Sequence, residues 1–345
     1  MKQLLILTVL GLAGLPALAA NGSGSFEIPA GAVTDLPELG LHWESFELPA
    51  PARAALASGR RGDVVELSAF PVAPGVRRDV RFEAFEVYAP GAKIWEIRDG
   101  ERREIPRDGS ARYLGRSADG ATRVGLSLAG EELYAFALSP EGAYRLTGPK
   151  ADGTFAVEDA TPPGGLLYEG CGTEHMAIPD SVLDAMEALR PSGLPASLQG
   201  TEQEVQGAPA SRQAVVAVDT DTELLSEKFG NNSTTALTYI TSLFVVLNVM
   251  YERDLDLFLL QGDTTIRTGS DPFNNTDTPA SLAQLQEFGT WWSTNQGGVD
   301  RAFAMLLSGK SSTSNSGSGI AWVDGYCETQ STGGGYSINQ IFTGN

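Results

Sequence analysis

The chain has 345 residues, a formal net charge of −19 and a pI near 4.5, with 42% hydrophobic and 19% charged residues. That balance belongs to globular protein, long enough for two or three domains, and not to a disordered chain. Acidity of this size repels nucleic acid and anionic membrane surfaces, which excludes both as main partners.

The opening stretch MKQLLILTVLGLAGLPALAA places Lys2 before an apolar run from Leu4 to Leu15, followed by Ala17-Leu18-Ala19. This is the charged, apolar and small-residue layout of a secretory signal peptide, residues 1–19, with cleavage after Ala19. The run is short and is followed by Pro16, which speaks against a membrane anchor. No later segment reaches about 18 uninterrupted apolar residues, so a soluble, exported product is expected, secreted or, in a Gram-negative cell, periplasmic. The two cysteines, Cys171 and Cys327, do not make a disulfide scaffold, and their distance in sequence leaves their pairing open.

From Asp63 to Leu146 the grammar is β. DVVELSAF alternates, with Val65, Leu67 and Ala69 on one face. DVRFEAFEVYA changes face between Ala84 and Phe85, which predicts a bulge or a strand break there. KIWEIRDGERREIP holds Asp99-Gly100 between two runs, a hairpin signal because both turn positions tolerate positive φ. TRVGLSLAGEELYAFALSPEGAYRL adds three strands with glycine-containing turns. One antiparallel β-rich domain, residues 20–190, is expected, closing with a short helix. Asp180 or Ser181 caps that helix, Val182, Met186 and Leu189 share its face, and Pro191 ends it. Residues 191–212 are rich in Pro, Gly, Ser and Gln and read as an exposed, protease-accessible linker.

Residues 213–345 change to alternating β and α. QAVVAVDTD reads as a buried strand. Asn232 or Ser233 then caps a long helix with Leu237, Ile240, Phe244, Leu247 and Tyr251 on one face. The apolar run from Leu243 to Met250 also fits a strand; length and period favour helix. LDLFLLQG is a strand. Thr278 and Pro279 open a second helix with Leu282, Leu285, Phe288 and Trp292 inward. RAFAMLLSGK and IAWVDG are strands on either side of a polar loop. The order β-α-β-α-β-β predicts a largely parallel sheet with helices packed on it.

Complete catalytic sets are absent from the sequence. SGKSS at Ser308–Ser312 is half of a phosphate-binding loop, but Ala304 stands where the first glycine is needed. There is no G-x-S-x-G. A zinc hydrolase places two histidines one helical turn apart; His42 and His175 are the only ones here. Asp254, Asp256 and Asp263 read as solvated charge in preference to a calcium site.

The second half, from about Arg212 to Asn345, resembles the upper part of a reprolysin/adamalysin-type catalytic domain, a metzincin zinc metallopeptidase. The matching stretches are AVVAVDTDTELLSEKFGN, STTALTYITSLFVVLNVMYERDLDLFLLQG and DRAFAMLLSGK followed by GIAWVDGYCETQSTGGGYS. In that family the strand of the AMLLSGK kind is followed by an edge strand of the GIAWVDGYC kind. A loop then leads to the zinc-binding helix H-E-x-x-H-x-x-G-x-x-H, which carries the glutamate base. The resemblance implies a three-layer α/β catalytic domain, here incomplete at its C-terminus, with the zinc motif beyond Asn345 and zinc as cofactor. It implies an edge strand, Gly319, Ile320, Ala321, Trp322 and Val323, that pairs with an extended protein or peptide substrate. The front half resembles, more weakly, the prodomain of such zymogens, lying against the catalytic domain. Cys171-Gly172 is similar to the cysteine-switch dipeptide whose thiolate blocks zinc; a free cysteine and a bond to Cys327 stay open. Cys327 is implied to be structural, and Tyr326 with Gly333–Gly335 to lie at the cleft mouth. As given, the chain carries no catalytic residue and is expected to be inactive. The reading from another class is a catalytically inert secreted binding or inhibitory module.

Overall fold

The computed structural model describes residues 24–36, 41–160, 212–274, 281–310, 319–322, 325 and 327–341. The signal-peptide region, the helix expected over 180–190, the linker, Cys171 and His175 lie outside them.

The first half forms β1 (Gly24–Glu27), β2 (Ala32–Leu36), β3 (Leu41–Phe46), α1 (Ala50–Ser58), β4 (Val64–Ala73) and β5 (Val76–Ala84). It continues with β6 (Ile94–Arg98), β7 (Glu101–Ile105), β8 (Ala111–Ser117), β9 (Arg123–Ala129), β10 (Glu132–Ser139), β11 (Gly142–Gly148) and β12 (Phe155–Asp159). Ten of these make one sheet in the order β1-β4-β5-β8-β9-β10-β11-β12-β3-β2. It is antiparallel except for the parallel β1–β4 pair. The sheet curls on itself: Phe46 of β3 meets both Phe70 of β4, at 6.3 Å between ring centres, and Phe155 of β12, at 5.8 Å. α1 packs Ala52 and Leu56 into the same core, and Tyr113 Oη donates to the Leu56 carbonyl at 2.7 Å.

Two details differ from the sequence pattern. Ala69 leaves the Val65–Leu67 face: it takes φ +53°, the pairing with β5 shifts register between Leu67 and Phe70, and Phe70 fills the core. Asp79 Oδ1 accepts from the Ala69 N–H and Arg77 donates to its carbonyl, so the bulge is fully bonded. The break expected at Ala84/Phe85 is where β5 ends. The second detail is larger. The hairpin β6–β7 forms through a turn with Asp99 at φ +52° and Gly100 at φ +83°, but it does not join the first sheet. β6 runs parallel to a strand of the second half, residue 94 opposite residue 264. The single antiparallel domain expected for the front half therefore lends two strands to the other sheet.

That second sheet uses β13 (Arg212–Thr220), β14 (Leu257–Thr268), β15 (Phe303–Ser308), β16 (Gly319–Ala321) and β17 (Tyr336–Gln340). Its order is β16-β17-β15-β13-β14-β6-β7, parallel throughout apart from β16 and β7 at the two edges. The long helix α2 (Ser233–Leu255) packs Leu237, Ile240 and Phe244 on one face of the sheet with Val216, Val218 and Leu307. The shorter α3 (Leu282–Asn295) packs Leu285, Phe288 and Trp292 on the opposite face with Ala217, Ala304 and Leu306. Alternate residues of β13 and β15 thus serve opposite layers, as the two-residue strand period requires.

α2 begins where the side chain of Asn232 accepts from the Thr234 and Thr235 N–H groups and stops at Asp256 in the left-handed region. By length and composition it is apolar enough to cross a membrane, yet half of its most apolar window is buried within the protein. α3 starts at Ser281, whose side chain accepts from the Gln284 N–H at 3.2 Å. Its first residue, Leu282, is 42% exposed and not inward as expected; Thr278 and Pro279 lie outside the described residues.

Candidate peptide-binding site

Among the described residues, β16 is the outermost strand at one edge of the second sheet. It pairs antiparallel with β17, Gly319 opposite Asn339, Ile320 opposite Ile338 and Ala321 opposite Ser337. The Trp322 N–H donates to the Tyr336 carbonyl at 3.3 Å. Since bonded and non-bonded pairs alternate along an antiparallel ladder, Ile320 and Trp322 turn their N–H and C=O toward β17. Ala321 then turns its N–H and C=O the other way, off the sheet edge. The regular strand is three residues long, shorter than the expected five: Trp322 follows its end, and Val323 lies outside the described residues.

The edge is rigidly backed. Ile320 is 4% exposed and packs with Phe288, Trp292, Leu306, Tyr336 and Ile338, and Trp322 lies against the same cluster. The Trp322 Nε1 is buried without a hydrogen-bond partner among the described residues. The Phe288 ring meets Tyr336 at 5.9 Å edge-on. Trp292 on α3 donates from Nε1 to Asp219 Oδ2 at 3.1 Å, and Arg267 of β14 grips both oxygens of Asp219 at 2.7 and 2.9 Å. Burial pushes the Asp219 carboxyl up from its ordinary range, and the Arg267 charge opposes that. This knot ties β13, β14 and α3 together and fixes the layer beneath β16.

The loop from β16 returns to the sheet and does not lead away from it. Gly333–Gly335 feed directly into β17, an inner strand between β15 and β16. The Glu328 N–H donates to the Gly325 carbonyl and the Gly335 N–H to the Glu328 carbonyl. A side chain on Gly334 would stand 2.2 Å from the Gln330 carbonyl oxygen, so the glycine is required by close backbone approach. Cys327 is exposed at φ +60°, and its N–H donates to the Ala302 carbonyl. The other cysteine, Cys171, and Tyr326 lie outside the described residues.

Sequence reasoning missed a polar cluster at the carboxyl ends of the parallel strands. Asp221, just past β13, accepts from the Leu224 N–H at 2.8 Å and the Gly309 N–H at 2.9 Å, and Ser308 Oγ donates to its other oxygen. Lys310 Nζ donates to the Phe273 carbonyl, and Gln340 Nε2 to the Lys310 carbonyl. The signal was present: two acids in VDTD at the end of an apolar strand. Ser308, the first residue of SGKSS, is the last residue of β15, as expected, and Ser308 and Gly309 both bind the Asp221 carboxylate.

The donor chemistry of the described residues does not fit a zinc centre. No group of three or more His, Cys, Asp or Glu among them is placed to hold a metal ion. His42 is an exposed residue of β3 in the other sheet. Asp254 pairs with Arg253, Asp256 ends α2 and Asp263 accepts from the Lys93 N–H, so these three do not converge. A cleft of about 960 Å³ lies elsewhere, between β5 and β8 of the first sheet and the start of β14, floored by Phe85 and Phe258. It is separated from β16 by β17, β15 and β13.

No family profile matches the sequence, and no curated protein is similar to it. Among solved structures, metalloproteinase-II from Bacteroides fragilis is similar over 83% of this chain and 81% of its own, at 9% identity and a TM-score of 0.38.

Proposed function

We propose that the chain is the front portion of a secreted peptidase precursor whose edge strand β16 receives extended peptides by adding them to the sheet. The observation that carries this is the Ala321 backbone, turned outward from a strand whose other face is locked against Ile338, Tyr336 and α3. Main-chain bonding at such an edge gives affinity with little demand on side chains. The sequence resemblance supplies the peptidase class and the reprolysin/adamalysin type. It puts the zinc-binding helix after Asn345. On this reading the described residues supply docking and orientation.

A labelled extended peptide library tests the docking, read by fluorescence anisotropy. Ala321→Pro deletes the outward N–H and leaves the β17 ladder donors at Ile320 and Trp322 intact. Binding should fall at least about tenfold, the order of a lost main-chain hydrogen bond plus a steric clash. Equal affinity for wild type and variant would remove β16 as the site. In-frame coding sequence for His-Glu-x-x-His after Asn345 tests the peptidase class; peptide capture by a chain without it would mark a non-catalytic binding module.

A further inference from the structure

We propose that residues 85–107 are a built-in part of the second core, so that the two halves of the protein remain one particle after the chain between them is cut. The segment leaves β5 and crosses to the second sheet. The Gln261 N–H donates to the Val87 carbonyl and the Ala89 N–H to the Gln261 carbonyl, both at 2.8 Å. The Thr264 N–H donates to the Lys93 carbonyl at 2.9 Å, and five residues of β6 then pair in register with β14. Val87, Tyr88 and Ile94 are buried in the same cluster as Val216, Ile240, Phe244 and Ile266. Glu96, on β6, accepts from Ser233 Oγ in the first turn of α2 and from Arg103.

The junction does not end with the hairpin. The outer side of α2 is covered by the first sheet. Gly125 of β9 lies against Val245 and Val249, Ser242 Oγ donates to Ser127 Oγ at 3.2 Å, and Glu252 pairs with Arg116. Without its front half, the second sheet would present the unpaired edge of β14 and a bare apolar helix face to water. Every one of these contacts is independent of the peptide link through residues 161–211. A precursor built this way cannot shed its front half by one cut in that segment; shedding also requires a cut beside the hairpin.

The test uses the full chain with a site-specific protease sequence inserted between residues 191 and 211. After complete cutting, size-exclusion chromatography in native buffer should return both pieces at the volume of the uncut protein. Hydrogen exchange at the Gln261 and Thr264 amides should show no loss of protection. Separation of the pieces in native buffer, or exchange of those two amides at the rate of exposed groups, overturns the proposal. Ile94→Asp, which puts a carboxylate into the shared core, should speed exchange at the Thr264 amide of the cut protein, even where the contacts of α2 with the first sheet keep the pieces together. Unchanged exchange at Thr264 in that variant would show that the hairpin is not part of the second core. None of these readouts depends on peptide capture by β16.

Discussion

Asp219 and Asp221 stand two residues apart under different electrostatics. Asp219 is completely buried but receives two bonds from the Arg267 guanidinium, one from Trp292 and one from the Thr220 N–H. Asp221 is held by neutral donors, the Leu224 and Gly309 N–H groups and the Ser308 hydroxyl, with Glu223 adding repulsion. Burial, the largest influence, pushes the Asp221 carboxyl from 3.8 up to about 6. A carboxyl whose pKa is raised in the folded state binds its proton more tightly folded than unfolded. Asp221 therefore favours folding below about pH 4, and that contribution is lost as pH rises through the window from about 4 to 6. The loss is on the order of 3 kcal/mol at neutral pH. Asp221→Asn removes the titration and keeps an oxygen for the two N–H donors. Relative to wild type, the variant should gain stability between pH 4 and pH 7, by roughly 1–3 kcal/mol once the imperfect Ser308 contact is allowed for. Urea unfolding at three pH values measures it, and parallel stability curves for the two proteins would show that Asp221 does not titrate in that window.

At the scale of elements, α2 is the best case of local sequence deciding local structure. Its cap, its stop and its inward face, apart from Tyr251, which is exposed, all lie within the residues that form it. Asn232 is exposed, so Asn232→Ala leaves no cavity and tests the cap alone: stability should drop by about 1 kcal/mol, and Asn232→Ser should restore most of it, by chemical denaturation. Equal stability of the alanine variant would mean that water satisfies the first turn as well as the side chain does. The hairpin β6–β7 was equally legible as a hairpin, because Asp99-Gly100 specifies the turn. Its sheet was not legible, because its parallel partner β14 is some 170 residues away and no local pattern names it. The bulge at Ala69 escaped for a related reason: alternation through Val65, Leu67 and Ala69 looks regular until Asp79 and Arg77, from the next strand, bond the extra residue. β17 hid behind a glycine run, although Tyr336, Ile338 and Gln340 do alternate inward. For the candidate site, the edge position of Gly319–Ala321 was readable through family resemblance. Its length and its immediate neighbour β17 were fixed by the return of the loop, a tertiary event.

At the scale of the whole molecule, α2 is a shared layer, with the second sheet on one side and β8–β10 on the other. Asn248 locks the inner contact: its amide accepts from the Leu259 N–H at 2.7 Å and donates to the Leu259 carbonyl at 3.0 Å. Gly125 sets the outer one. A Cβ there would stand 2.8 Å from both Val245 Cγ1 and the Val245 carbonyl oxygen and 2.9 Å from Val249 Cγ2. Helix backbone cannot give way as a flexible side chain end can, so the first sheet must move off. Gly125→Val should therefore cost about 1–3 kcal/mol by overpacking, and the cost falls on the junction between the two cores and not within either. Two cores that share a tight layer melt together; loosening the layer lets the less stable one go first. Calorimetry should show one transition for the wild type and, for Gly125→Val, a lower or split transition, while the far-ultraviolet spectrum keeps its helix and strand content. A single unshifted transition in the valine variant would show that α2 and β9 do not pack closely enough for the two halves to unfold as a unit.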